Sequence, residues 1–466
     1  MGDAVKTILR PVASLKLTVA LFAMSVFIVL AGTVAQIDKG ISTVLDEYFR
    51  CFGTWIDLSL FFPRNENWAF LKGFGFPFPG GWLIGAALMI NIITAHLIRF
   101  RIAAKGARLT AGLLILTAGG VLTWLIVIGV FSQEVATTEG AAFWRVLYRL
   151  IQGGGAAAIL LAGCWLVFKK RAGIVLLHSG VLLLLVHEVF TGVAAVEGTM
   201  RINPGQTINY LTHSSTFELA IIDRSDPEFD DVRVVPRARL RRMDLIQDDK
   251  LPFDIAVVQY MKNSMLVRPQ PGVTNRATAG SGLRAVAIEE PETSGVDTEQ
   301  TINIPSIYAT ITEKDTGELI GTYLFSVFLD GPQWPPQLVT VGEKTYEIEL
   351  RFGRTYKPYS IQLVEFRHDK YVGTQKAKNF SSLVRLVDER RGVDRTVKIW
   401  MNNPLRYAGE TFYQSSFEPG KKLTILQVVR NDGWMLPYLA CMIVGAGLTL
   451  QFGYTLVGFL RRKVTL

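Results

Sequence analysis

The sequence predicts an integral membrane α-helical bundle of about six spans, with a large extracytoplasmic β-rich domain between the fifth and sixth spans. Three observations carry this: long apolar runs, basic residues gathered in the short loops between them, and a change of hydrophobic period between residues 196 and 432. Hydrophobic residues make up 49% of the 466, too apolar for an ordinary soluble protein, and the chain is too long for one domain. Five runs are long enough, at about 18 to 25 residues, to cross the roughly 30 Å hydrocarbon layer as helices. They are Leu17 to Gln36, Trp82 to Ile98, Gly112 to Phe131, Gly173 to Val193 and Trp434 to Leu460. A sixth, Gly153 to Phe168, is shorter and Gly-rich.

Counting the sixth run orders the charges. Lys6, Arg10 and Lys16 precede the first span, and Arg99, Arg101, Lys105 and Arg108 lie between the second and third. Lys169, Lys170 and Arg171 fill the next such loop, and Arg461, Arg462 and Lys463 follow the last span. The positive-inside rule makes all four segments cytoplasmic, which six spans allow and five do not, so both termini are expected inside. The net charge of +9 is concentrated in these loops, where it orients helices, and argues against nucleic-acid binding. The first run exceeds the 7 to 15 residues of a signal-peptide core and reads as a retained anchor.

Residues 1–195 are thus expected to form a membrane domain with five N-terminal spans, 196–432 the aqueous β-rich domain, and 433–466 the C-terminal span with a short basic tail. In TYEIELRF, Tyr346, Ile348, Leu350 and Phe352 share one face and Thr345, Glu347, Glu349 and Arg351 the other, the period of a half-buried strand. SIQLVEF, SLVRLV, TVKIW and LTILQVV repeat the pattern. The stretch 268–301, rich in small polar residues and without either period, reads as a flexible insertion.

Cys51, Cys164 and Cys441 form no CxxC and no CxxCH, which excludes a thioredoxin-like reductant and a c-type cytochrome. HExxH, the P-loop and GxSxG are also missing, so hydrolase and ATPase readings have no support. What remains is histidine inside membrane helices, costly unless partnered and functional by default. His96 lies three residues before Arg99, and His178 seven after Arg171, about 10 Å along a helix, so both fall in the inner half of the bilayer. His187 is about 13 Å further along and nearly half a turn round. His96 and His178 are therefore the depth-matched pair that could present imidazole lone pairs to a metal or haem iron. The plainer alternative is that each hydrogen-bonds a neighbouring helix, for around 1 kcal/mol. His213 and His368 fall in strand or turn text and read as surface residues.

Two stretches resemble a known family. SLKLTVALFAMSVFIVLAGTVAQ, residues 14–36, is similar to the opening helix of ResB-like proteins, and NNPLRYAGETFYQSSF, residues 402–417, to the segment these proteins carry just before their last span. NIITAHLIRF, residues 91–100, looks like the helix that places a haem-binding histidine in the related CcsB half of fused CcsBA haem synthetases. Ala35 stands where a proline is common in the family, and six spans exceed its usual four.

The resemblance implies a membrane subunit of the system II cytochrome c maturation complex. Such a subunit handles or exports haem and supports its covalent attachment to apocytochrome c beside a ResC/CcsA-type partner, as part of a haem lyase complex. It implies a bacterial inner-membrane location, haem b in transit at His96 with His178 as second ligand, and a separate thioredoxin-like thiol reductant. Two other readings stand beside it: a b-type electron-transfer subunit holding haem between His96 and His178, and a purely structural scaffold. Tyr413 and Gln414 are expected to satisfy buried polar groups in a strand, making FYQSSF a docking joint between the outer domain and the last helix.

Overall fold

The computed structural model describes residues 7, 9–63, 66–99, 102–131, 141–294, 302–329, 334–371, 373, 377–417 and 423–464. The apolar runs form helices α1 (Leu15–Ala35), α2 (Gly81–Arg99), α3 (Ala107–Val127), α4 (Ala141–Phe168), α5 (Ala172–Ala194) and α6 (Leu436–Val464). Among the described residues five helical stretches are long and apolar enough to cross a membrane. Residues 146–194 form one of these, because only the 3-10 turn Lys169–Arg171 separates α4 from α5. That turn is sharp because Lys169 takes a left-handed φ of 53°, which interrupts the helical hydrogen-bond ladder. α4 begins at Ala141, well before the expected Gly153.

Between α1 and α2, β1 (Gly53–Asp57) and β2 (Gly75–Pro79) form an antiparallel hairpin. After α5 come β3 (Val196–Ile202), β4 (Thr207–Asp223), β5 (Asp231–Pro236), β6 (Leu245–Ile246), β7 (Phe253–Met261), β8 (Ser264–Val267) and β9 (Val286–Glu289). β10 (Ser306–Glu313), β11 (Leu319–Ser326), β12 (Gln337–Val341), β13 (Lys344–Lys370) and β14 (Ala377–Asp388) follow. β15 (Val393–Trp400), β16 (Leu405–Tyr407), β17 (Glu410–Phe417) and β18 (Thr424–Arg430) complete the β-rich region.

The chain divides into two compact units. One comprises residues 1–31, 47–209 and 358–466, the other 32–46 and 210–357. The divisions at 209/210 and 357/358 fall inside the long strands β4 and β13, so strand text that reads as one domain is shared out.

In the first unit β15, β14 and the part of β13 after residue 357 are neighbours in one run of strands, and β3, β18, β17 and β16 are neighbours in another. Its helices pack through small residues, as membrane helices do where backbones must approach closely. A Cβ added at Gly180 of α5 would lie 2.6 Å from Val444 Cγ2 and 2.9 Å from the Ala440 carbonyl of α6. Buried Leu176 and Ile443 fill the seam between them. α1 is started by Ser14, whose Oγ accepts from the Leu17 N–H at 3.1 Å, an N-cap bond. Asn91 of α2, 2% exposed, donates to the Val12 carbonyl at 2.6 Å and accepts from the Thr18 hydroxyl at 2.7 Å, tying α2 to the start of α1.

In the second unit a sheet ordered β11-β10-β7-β6 shares a core of Phe253, Ile255, Ile307, Ile311, Phe325 and Ile348 with neighbouring strands. Arg351, 2% exposed, donates through Nε to Glu218 at 3.0 Å and through Nη1 to Glu349 at 2.6 Å. Much of the stretch expected to be a flexible insertion is ordered: β9 pairs β8, and Ser281, Val286 and Ala287 are buried. Its last part, 295–301, lies outside the described residues. The segment following α1 belongs to this unit. Lys262 Nζ donates to Glu292 at 2.6 Å and to the Thr43 hydroxyl at 2.9 Å, while that hydroxyl donates to Glu292 at 2.8 Å.

Candidate functional site

α2 and α5 bring His96 and His178 together. His96 Nε2 and His178 Nδ1 are 3.2 Å apart, and the rings meet edge to face at 4.8 Å between centroids. The tautomers follow from the partners. His96 Nδ1 lies 2.8 Å from the Ile92 carbonyl, which can only accept, so Nδ1 carries a proton and Nε2 is the lone pair. His178 Nδ1 must then be the donor to His96 Nε2, which leaves the Nε2 lone pair of His178, with no hydrogen bond among the described residues. At 3.2 Å the two rings are hydrogen-bonded, each fixing the orientation of the other.

The donor set suits haem iron: neutral imidazole nitrogen, half-buried between helices. Basic residues ring the same end. Arg171 Nη1 donates to the Arg99 carbonyl at 3.0 Å, and Arg108 Nε to the Leu166 carbonyl at 2.9 Å, with its guanidinium 5.6 Å over the Trp165 ring.

The other histidines are elsewhere. His187 contacts its own helix, 3.3 Å from the Thr191 hydroxyl. His213 lies 2.8 Å from the Thr355 hydroxyl, and His368 packs edge-on to Phe380. No group of three or more His, Cys, Asp or Glu that could hold a metal occurs among the described residues.

The second feature is the hairpin of β16 and β17. Its turn has positive φ at both Ala408 (51°) and Gly409 (80°), as a two-residue hairpin loop requires. Gln414 of FYQSSF accepts from the Ser382 hydroxyl at 2.6 Å and donates to the Thr424 hydroxyl at 2.9 Å, and both hydroxyl-bearing residues are fully buried. Tyr413 points to the opposite, exposed side. Gln414→Leu strips a buried network of its amide and is expected to cost about 1–3 kcal/mol, measured by chemical denaturation.

Arg406 of the same hairpin stacks 4.6 Å over the ring of Trp434, at the entrance to α6, and Arg149 of α4 lies 5.0 Å over that ring. The joint between hairpin and helices is therefore an indole packed by two guanidiniums. Composition gave no hint of it, because its three residues lie far apart in the chain.

Beneath the joint, Tyr407 donates to Asp388 at 2.7 Å and Tyr359 donates to Glu410. The Tyr407 hydroxyl bond, and then the Arg391 N–H and guanidinium, hold the Asp388 carboxyl below its ordinary 3.8. A depressed carboxyl contributes stability above its unfolded value that is lost as pH falls through the folded one. Acid unfolding is thus expected to set in below about pH 4. In Tyr407→Phe the acid limb of the stability profile, followed by circular dichroism, should move to higher pH.

Apolar helices, a histidine pair at one end of them and a polar hairpin joined to the last helix define a membrane protein with a β-rich aqueous portion. The ResB-like family model matches residues 337–433, which include this hairpin. Protein NrfI of Wolinella succinogenes is 34% identical over 104 residues, 22% of this chain and 12% of that protein, so the similarity spans a small part of the relative's length.

Proposed function

We propose that the chain is a membrane subunit of a cytochrome c maturation complex, presenting haem to a ResC/CcsA-type partner for attachment to apocytochrome c. The ResB-like match supports the cytochrome c biogenesis role. The observation that carries the haem reading is the His96–His178 pair, in which one Nε2 lone pair is presented and the second ring orients the first. His178 would hold the iron and His96 would keep its ring in place, while Arg99, Arg108 and Arg171 lie at the same end as counter-charges for propionates. Haem supplies the group to be transferred, and a separate thiol reductant keeps the acceptor cysteines reduced. The basic loops support six spans, cytoplasmic termini and an outer β-rich portion. This puts the histidines near the face where haem is made available.

The test is the absorption spectrum of the complex co-purified with its partner from a host lacking its own c-type assembly, with holocytochrome yield measured alongside. His178→Ala should lose both at unchanged protein level, and added imidazole should restore them. If neither His178→Ala nor His96→Ala alters either signal, the chain is a scaffold and haem travels through the partner.

A further inference from the structure

The hairpin of β1 and β2, with the short helical turns joining its strands, carries an aromatic surface that neither the histidine pair nor the docking joint uses. Phe52 (64%), Trp55 (53%), Phe70 (64%) and Phe74 (65%) are largely exposed, far beyond the scattered apolar residues of an ordinary aqueous surface. We propose that this hairpin is seated in the lipid of the leaflet where α1 ends and α2 begins, and that the occupant of its aromatic face is the bilayer itself.

Depth is the first argument. The hairpin folds back along α1, and Phe27 packs against Phe61, Phe76 and Phe78 at 5.9, 6.1 and 4.8 Å between ring centroids. Phe27 lies about 12 Å inside the helix end at Ala35, in a helix whose roughly 31 Å length matches the hydrocarbon layer. Rings around Phe27 are therefore below headgroup level. Continuity is the second. Val26, Val29 and Leu30 of α1 are exposed, so the hairpin extends the apolar flank of a membrane helix.

Backbone chemistry is the third. A strand edge in hydrocarbon leaves unpaired N–H groups, each a cost of several kcal/mol. The ladder bonds Leu58 N–H to Phe74 O and Gly80 N–H to Phe52 O set the register, so with period two the inward positions of β2 are 76 and 78. The outward positions 77 and 79 are both proline and have no N–H to strand in lipid. The alternation in GFPFPGG thus removes outward N–H donors from β2 while phenylalanine keeps the ladder. Phe and Trp are also the residues that interfacial elements place toward the acyl boundary.

The test uses the full chain in liposomes with Cys51, Cys164 and Cys441 replaced by alanine, and an environment-sensitive fluorophore attached at Phe70→Cys or Phe74→Cys. Val26→Cys on α1 is the lipid control and Phe229→Cys in the second unit the water control. Phosphatidylcholine carrying a spin label on its acyl chain is expected to quench positions 70 and 74 as strongly as position 26, and aqueous iodide to quench only position 229. Quenching by iodide without quenching by lipid would place the hairpin in water. Quenching by neither would mean that protein covers it; both results overturn the proposal.

Discussion

His178→Ala is expected to abolish haem binding by the purified complex, whereas His96→Ala weakens it by about 10–100-fold, the usual cost of removing a group that orients a metal ligand. The asymmetry rests on tautomers. The Ile92 carbonyl fixes the proton of His96 on Nδ1, His96 Nε2 then takes the proton of His178 Nδ1, and the remaining lone pair belongs to His178. Removing His96 leaves that lone pair but frees the ring and exchanges one buried acceptor for none. His96→Gln, which can still accept through its amide oxygen, should recover part of the loss. Haem titration of detergent-purified complex, followed at the Soret band, gives both affinities. Equal losses, or a larger loss at His96, would mean that iron displaces the histidine hydrogen bond and binds His96 Nε2 instead.

The second large effect is mechanical. Gly180→Leu on α5 would drive a side chain into Val444 and the Ala440 carbonyl, where even a Cβ would be only 2.6 and 2.9 Å away. One of those neighbours is backbone and cannot rotate aside. Overpacking of this kind costs about 1–3 kcal/mol and often more when helices must separate. The expected result is a lower unfolding temperature in detergent together with loss of haem binding, since α5 also carries His178. Gly154→Leu on α4 is the matched control, because nothing lies within 4 Å of its added Cβ and leucine favours helix over glycine. If Gly180→Leu behaves like Gly154→Leu, the α5–α6 seam is loose enough to admit a leucine.

The depth-matched histidines were legible from charge and helical rise alone, because flanking arginines mark membrane depth and 1.5 Å per residue converts sequence into height. Which ring presents a lone pair was not legible, since it depends on a carbonyl one turn away and on the facing angle of two helices. Strand text was readable in TYEIELRF and SIQLVEF, but these are parts of the single strand β13. Gly353 and Pro358 between them look like punctuation, whereas a long edge-to-edge ladder carries the strand through both. The stretch after residue 268 misled for the opposite reason. Its alanines, serines and glycines have no period, yet small residues such as Ser281 and Gly282 can be buried against β11 without one. Asn91 is a further signal in the sequence, because a polar amide within a membrane helix calls for a partner.

The hydrogen bond between the two histidines also bears on turnover. Two bare imidazoles in a membrane would leave polar groups unsatisfied, and such a site would hold whatever filled it. Here each ring answers the other through a bond worth about 1 kcal/mol, and that bond lies on the side of His178 away from the lone pair that would take cargo. On the proposed reading, loading and release leave this bond in place, so the empty site keeps the geometry that receives the next cargo.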